Sequence, residues 1–90
     1  MKVVTLKLIN GDEIIGREIS SDVDTITVSK VFALRVHQAT DGQMGVGMMP
    51  WVVSQDGEMT LDRRHILAGP FLPPSDMERG YLSQTSGLHL

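Results

Sequence analysis

The chain contains no cysteine, which excludes disulfides, thiolate metal sites and a cysteine nucleophile. Aromatic residues are also few, with one Trp, one Tyr and two Phe. No apolar run approaches the roughly 20 residues that span a bilayer. The first residues, MKVVTLKL, have too short an apolar stretch for a signal peptide and lack a small-residue cleavage site. These absences predict a cytoplasmic protein that does not enter a membrane.

Basic residues are outnumbered, since 8 Lys and Arg stand against 11 Asp and Glu for a net charge of −3. Nonspecific binding to nucleic acid depends on neutralising phosphates, and this overall charge does not favour it. The cations are clustered, however. Arg63, Arg64 and His65 are consecutive, and Arg35 lies two residues before His37. The sequence therefore remains compatible with a local basic patch.

Catalytic and metal-binding motifs are missing. There is no Gly-x-Ser-x-Gly, no cofactor fingerprint and no acid pair in a plausible pocket. The histidines His37, His65 and His89 do not have the spacing of a zinc site. Asp22 and Asp24 form an Asp-x-Asp pair of a kind that holds Mg²⁺, but a turn aspartate with a solvated neighbour is the favoured interpretation. We predict no catalytic residues, no metal, no cofactor and a non-enzymatic function.

Ninety residues form one small domain with a modest core. Each fully buried apolar side chain contributes roughly 2 kcal/mol, which for a scaffold of this size barely offsets the entropy of ordering the chain. Burial against another copy of the chain is therefore expected. The predicted core residues are Val4, Leu6, Leu8, Ile15, Ile19, Ile26, Val28, Phe32, Leu34, Val36, Leu61, Leu67 and Phe71.

Period-two alternation of apolar residues predicts antiparallel strands in the first half of the chain. The first strand covers residues 4–8 and is followed by Asn10 and Gly11, which favour a type I′ hairpin turn. Gly16 predicts a sharp bend in the second strand. A long third strand starts at residue 25, and its apolar face is interrupted by Lys30 alone. The residues of that face are Ile26, Val28, Phe32, Leu34 and Val36.

The second half predicts further strands at residues 45–53 and 59–72, with a hairpin turn at Asp56 and Gly57. Two prolines then stop the sheet. Ser75 and Glu78 have the spacing of a capping box, which predicts a short C-terminal helix before a frayed tail. Five or six short strands with almost no helix are typical of a small β-barrel.

The residues of the first motif resemble the Sm-like superfamily, which includes the LSm proteins and the bacterial RNA chaperone Hfq. The family pattern has a glycine, four residues, a second glycine and an aspartate before the third strand. Here these are Gly11, Gly16 and Asp22. Ile26, four residues after the aspartate, is similar to Hfq. The resemblance implies an all-β fold, a strongly bent five-stranded antiparallel barrel whose unpaired edges join copies into a ring.

A second stretch of sequence extends the resemblance. Residues 64–66 (Arg-His-Ile), followed by residues 71–73 (Phe-Leu-Pro), are similar to the Lys-His strand of Hfq and its proline-terminated continuation. More residues separate the two motifs than in Hfq, which implies an enlarged β3–β4 region. The implied organisation is an Sm-like barrel over residues 1–74, with a C-terminal helix and tail over residues 75–90.

The inner rim of such rings binds single-stranded RNA by stacking bases and hydrogen-bonding their edges. The resemblance therefore implies that Arg64 and His65 bind nucleic acid, through a phosphate-binding charge and a ring nitrogen. Lys30, Arg35 and His37, on the long third strand, are secondary candidates. The expected function is binding of single-stranded RNA, or DNA, with low specificity in RNA processing or chaperoning, by a homo-oligomeric ring.

Three positions depart from the family pattern. Asp24 stands where the family places a stacking residue, Val23 stands where Hfq has a polar residue that contacts the base, and Ala68 replaces an arginine. With the acidic net charge, these departures favour an alternative: a structural or protein-interaction ring whose RNA pocket has decayed. One apolar segment is open to two interpretations, an interface or core filler and a flexible binding surface; its residues are Met44, Met48, Met49 and Trp51.

Overall fold

The structure, a computed structural model, describes residues 2–52 and 57–85. In these ranges one antiparallel sheet of six strands precedes one helix. The predicted β-rich fold with a short C-terminal helix is confirmed, although there are six strands where the resemblance implies five. The expected turn residue Asp56, the strand end at Val53, His89 and the tail lie outside the described residues. The elements are β1 (Lys2–Leu8), β2 (Glu13–Ser21), β3 (Thr25–Gln38), β4 (Met44–Pro50), β5 (Glu58–Asp62), a 3₁₀ segment (Arg63–His65), β6 (Ile66–Phe71) and α1 (Ser75–Thr85).

The strands are hydrogen-bonded in the order β4-β3-β2-β1-β6, and β5 pairs with β3 beside β4. This arrangement is possible because β3 is 14 residues long. Residues 25–29 of β3 pair with β5, and residues 32–38 pair with β4. The predicted region of residues 59–72 is thus two strands, separated by the 3₁₀ segment rather than continuous.

The turn between β1 and β2 lies where the sequence predicts it, but it is not of type I′. Asn10 keeps a negative φ, and only Gly11 enters the left-handed region, with φ 96°. Gly11 donates its N–H to the carbonyl oxygen of Leu8 at 3.0 Å, and the Asn10 side chain accepts the N–H of Asp12 at 3.0 Å. This is a three-residue hairpin loop whose glycine forms the bulge. The β3–β4 turn has the same form, with Gly42 at φ 88°.

A bulge in β3 lies opposite Gly16 of β2. The register between the two strands shifts by one residue at this point, and Lys30 has a positive φ of 52°. A β-carbon on Gly16 would lie 3.2 Å from the Ser29 carbonyl oxygen and 3.4 Å from Cγ2 of Val31. Glycine is therefore required here by the close approach of the bulged backbone, as the interruption of a strand by glycine predicts.

The bulge reverses the direction of the side chains that follow it. Before it, Ile26 and Val28 belong to one core cluster; after it, Phe32 and Leu34 pack in a second cluster with Tyr81 of α1. The prediction of one continuous apolar face on β3 is therefore wrong, and Lys30 marks the change of face. The first cluster is completed by Leu6, Leu8 and Ile14, and the second by Val3 and Ile15.

Most of the predicted core is buried or half-buried, but three members are exposed. Val36, Leu67 and Phe71 have exposed fractions of 66%, 68% and 53%. Val36 lies near the end of the β3–β4 hairpin, and the other two lie on β6, which pairs with β1 alone within the described residues. The confirmed buried residues are Val4, Leu6, Leu8, Ile15, Ile26, Val28 and Leu34.

Helix α1 is anchored to the bulge. The hydroxyl of the fully buried Tyr81 donates to the carbonyl oxygen of Lys30 at 2.7 Å, and its ring meets Phe32 edge-on at a centroid distance of 6.1 Å. At the C-terminal end of the helix, Lys30 Nζ donates to the Thr85 carbonyl oxygen at 2.9 Å. Arg17 Nη2 donates to Thr85 Oγ1 at 3.0 Å. The bond from Lys30 satisfies a carbonyl group that the helix end leaves unpaired, and both side chains place a cation at the negative end of the helix dipole.

Gly16→Val tests the close approach at the bulge. The added side chain has no room beside the Ser29 carbonyl, so we expect the free energy of unfolding to fall by about 1–3 kcal/mol, as overpacking usually costs. Gly47→Val in β4 is the matched control, because the nearest atom to its β-carbon is 3.8 Å away. We expect that variant to change stability by no more than about 0.5 kcal/mol. Urea denaturation measures both, and equal losses would contradict this account of the bulge.

Candidate nucleic-acid interface

The predicted basic pair, Arg64 and His65, lies in the 3₁₀ segment between β5 and β6 and not in a strand. The local cause is Asp62. Its carboxylate accepts the backbone N–H of Arg64 at 2.8 Å and so caps the segment in the way that aspartate caps a helix. A short 3₁₀ turn replaces extended backbone here because the preceding acid satisfies its first free N–H.

The 3₁₀ segment ties two turns of the sheet together. At its start, Arg63 donates its backbone N–H to the Asp24 carbonyl oxygen at 2.8 Å and its Nε to the Asp22 carbonyl oxygen at 2.7 Å. At its end, the His65 carbonyl oxygen accepts the N–H of Ile9 at 3.0 Å. The β2–β3 turn and the β1–β2 turn are therefore held on either side of three consecutive basic residues.

Arg64 is engaged by Asp62 through its side chain as well. Its Nη2 lies 2.8 Å from Asp62 Oδ2, and its Nε lies 3.1 Å from the same oxygen. The guanidinium, with the backbone N–H of Arg64, lowers the pKa of Asp62 to about 2, and the carboxylate raises the pKa of Arg64. The Arg64 side chain is nevertheless 85% exposed. It remains accessible to an anion, which must then compete with Asp62.

A first cavity of about 360 Å³ lies against the start of the 3₁₀ segment. It is lined by two carboxylates, Asp24 and Asp62, and by two guanidinium groups, so its formal charges cancel. The resemblance places the base pocket here, but none of the described residues that line the cavity carries an aromatic ring. Its lining residues are Val23, Asp24, Asp62, Arg63 and Arg64.

Asp22 acts as a turn residue. Its Oδ1 accepts the N–H of Asp24 and the N–H of Thr25, both at 2.8 Å, and these bonds lower the pKa of Asp22. Within residues 2–52 and 57–85 no group of three or more potential ligands is placed to hold a metal ion. Over the same ranges, no helix has the length and apolar character needed to span a bilayer.

A second cavity, of about 290 Å³, lies on the other side of the 3₁₀ segment. Trp51 forms part of its wall, and the indole Nε1 donates to Asp12 Oδ2 at 2.9 Å. Arg35 Nη1 lies 3.6 Å from Asp12 Oδ1. The bond from Trp51, with smaller effects of Asn10 and Arg35, lowers the pKa of Asp12. The lining residues are Leu8, Ile9, Asn10, Trp51, Leu61 and His65.

The five predicted binding residues are only partly brought together. His65 and Arg35 both reach the β1–β2 turn, the first through its carbonyl and the second through Asp12. Lys30 is occupied at the C-terminal end of α1. His37 lies over the glycines of β4, far along the β3–β4 hairpin. The structure thus places Arg64 and His65 on the two cavities, brings Arg35 to the adjoining β1–β2 turn, and leaves Lys30 and His37 elsewhere in the fold.

The bond between Trp51 and Asp12 is the feature that sequence reasoning missed. The two residues are 39 positions apart, and no local pattern relates a turn aspartate to a tryptophan at that distance. The available signal was the one tryptophan of the chain directly after Pro50, which indicates a strand end and therefore a position near turns.

Comparison with known proteins adds no identification. No family model matches the chain, and no curated protein matches it. The resemblance to Sm-like proteins therefore stays an interpretation of individual residues, and the function has to be argued from the site itself.

The Asp62–Arg64 pair predicts a measurable titration. We expect the Asp62 carboxyl to titrate near pH 2 in NMR, and its pKa to rise toward the ordinary value of 3.8 in Arg64→Ala. Because the folded-state pKa lies below the unfolded one, the stability that Asp62 contributes is complete above about pH 4 and is lost as the pH falls through 2. Arg79→Ala removes a comparable ion pair with Asp76 and should leave Asp62 unchanged. An unaltered Asp62 titration in Arg64→Ala would rule out the guanidinium as the cause.

Proposed function

We propose that this chain forms a homo-oligomeric Sm-like ring that binds single-stranded RNA, or DNA, and catalyses no reaction. The observation that carries the proposal is the short basic segment Arg63–His65, held between two turns of the sheet and bordered by two open cavities. Its expected role is in RNA processing or chaperoning, by holding unpaired strands.

Closure of the sheet into a barrel is supported by the length of the connection from β5 to β6. In a flat sheet with β5-β3-β2-β1-β6 as neighbours, the outer two strands would lie four spacings apart, or about 19 Å. The link runs from Asp62 to Ile66 through three residues. Even fully extended, four residues span at most about 14 Å, and a 3₁₀ segment spans far less. The sheet must therefore curl, as the barrel requires.

Ring assembly is supported by unlike strand edges. In the part of the chain that the structure describes, β4 and β5 each have β3 as their strand neighbour and β6 has β1. Exposed strand edges are available for pairing with another chain, and joining two unlike edges gives a head-to-tail contact that closes into a ring. Strands β4 and β6 also carry exposed apolar side chains, which would be buried by such a contact; they are Met44, Val46 and Met49 on β4 and Leu67 and Phe71 on β6.

Nucleic-acid binding is supported by the type and position of the cations. The guanidinium of Arg64 is exposed, and arginine matches the geometry of a phosphate. His65 lies one residue away at the rim of the second cavity. A ring repeats this segment in every subunit, so a strand that follows the rim meets several cations although one chain carries a net charge of −3.

A second candidate function is a ring that binds proteins instead of RNA. The specific observation in its favour is the neutral first cavity, where Asp62 already occupies Arg64 and Asp24 adds a second carboxylate. On this hypothesis the exposed apolar residues of the β3–β4 hairpin, Val36 and Met44 among them, contact the partner protein.

The solution mass tests the ring. Static light scattering of the intact chain should give a whole multiple of 9.9 kDa. Leu67→Lys places a charge on the exposed β6 edge and should release the monomer, because burial of an unpaired charge is unfavourable. Leu82→Lys adds the same charge on α1 and should leave the mass unchanged. A wild-type mass of 9.9 kDa would contradict both candidate functions.

Binding of labelled oligonucleotides tests the RNA proposal. Fluorescence anisotropy should show that single-stranded RNA binds the assembled protein and that affinity falls as salt rises. Arg64→Ala with His65→Ala should weaken binding at least about tenfold and reduce the salt slope by about 1, as expected when a phosphate contact is lost. A parallel titration with single-stranded DNA measures the preference between the two nucleic acids.

Arg79→Ala is the matched control, since Arg79 is an exposed arginine paired with Asp76 at 2.8 Å and lies on α1. We expect it to bind RNA as the wild type does. If the assembled protein ignores both RNA and DNA at low salt, the RNA proposal fails and the protein-binding ring is the better account.

A further inference from the structure

Among the described residues, none that lines the first cavity has an aromatic ring. Bases of unpaired strands stack on aromatic side chains, and Asp24 in that cavity offers no ring. Across the 3₁₀ segment, the second cavity has Trp51 in its wall. Arg64 lines the first cavity and His65 lines the second, so the two sites are joined by adjacent residues of one segment.

Trp51 is fixed in place before any ligand arrives. Its indole N–H donates to Asp12 Oδ2 at 2.9 Å, and its backbone N–H donates to the Val31 carbonyl oxygen at 3.2 Å. The side chain is only partly buried and packs against the first core cluster. An aromatic ring that is already immobilised loses little entropy when a base stacks on it, which favours binding.

The remaining walls suit a flat heterocycle. Leu8, Ile9 and Leu61 supply apolar surface, and Asn10 and His65 supply an amide and an imidazole. These groups form hydrogen bonds to the polar edges of bases. A volume of about 290 Å³ lies at the lower end of the range of small-molecule pockets and so fits a single base better than a larger ligand.

Charged groups lie on or beside the β1–β2 turn that borders the cavity. Lys7 Nζ donates to the Gly11 carbonyl oxygen at 3.0 Å, and Arg35 pairs with Asp12 at 3.6 Å. Both cations are therefore attached to the β1–β2 turn that borders the cavity. Asp12 lies in the same turn and Glu13 begins β2, so these two acids and two cations cancel in formal charge. The surroundings are neutral overall, and recognition of a base therefore depends on Trp51 and the other walls of the cavity.

We propose that the cavity beside Trp51 is a nucleobase subsite, in which Trp51 stacks on a base of single-stranded RNA. This inference rests on the proposed function and assigns its base contact to Trp51. His65 borders the subsite, and Arg64 receives the next part of the strand.

Tryptophan fluorescence tests the subsite directly, because the chain has one tryptophan. The intact protein is titrated with a short RNA oligonucleotide and with an abasic oligomer of the same length. We expect the base-bearing RNA to quench Trp51 and the abasic oligomer to leave its emission unchanged, although both bind in a salt-dependent way. Trp51→Leu should weaken RNA binding by about 5- to 150-fold, the range measured for loss of one stacked base, with abasic binding unaltered.

Trp51→Phe is the conservative control and should retain most of the affinity, and circular dichroism verifies that each variant folds. The quenching measurement needs no variant and stands even if Trp51→Leu is unfolded. RNA binding by anisotropy without quenching and with equal affinity for the abasic oligomer would overturn the subsite and leave the proposed function intact. Trp51 variants that change the solution mass but not RNA affinity would also overturn it, since Trp51 would then be an interface residue. No binding of any oligonucleotide contradicts the proposed function itself.

Discussion

The three-residue connection from β5 to β6 is the constraint on which the rest of the structure depends. One of the strands that it joins pairs with β3 and the other with β1, and the link is too short for these to belong to a flat sheet. It also holds the β2–β3 turn through Arg63 and the β1–β2 turn through the His65 carbonyl. Sheet curvature and the position of both cavities therefore have one common cause.

The bulge at Lys30 allows β3 to contribute to the second core cluster, which packs the sheet against α1. A single extra residue opposite Gly16 changes the face on which β3 presents its apolar side chains. Strand β3 thereby contributes apolar side chains to both core clusters. The same lysine then binds the end of that helix through Nζ and accepts the Tyr81 hydroxyl through its carbonyl. The ammonium of Lys30 therefore has a structural role at the end of α1.

The fold class and the turn positions were predictable because they depend on local patterns. Period-two alternation and a glycine after Asn10 act over a few residues. The turn type was mispredicted because the pattern of a dipeptide does not reveal that only Gly11 has a positive φ. The interruption at Lys30 indicated where the apolar face of β3 changes. The bulge that causes this change lies opposite Gly16 of β2, and no local pattern in β3 reveals that contact.

The site was less predictable, since its contacts join distant parts of the chain. The pairing of Arg64 with Asp62 joins residues two positions apart, so the sequence itself indicates it. The bond from Trp51 to Asp12 and the pair of Asp12 with Arg35 are tertiary contacts that no spacing predicts. Exposure of Leu67 and Phe71 likewise follows from the edge position of β6 and not from the apolar pattern.

Hydrogen exchange at single-residue resolution tests the central claim most directly, because it reports edge pairing and ligand contact on the same backbone. In the assembled protein, the outward-facing amides of β4 and β6 should exchange slowly without RNA. Residues 63–65 should become protected when single-stranded RNA is added. Fast exchange at both edges, together with no change at residues 63–65 on addition of RNA, would contradict a ring that presents this segment to nucleic acid.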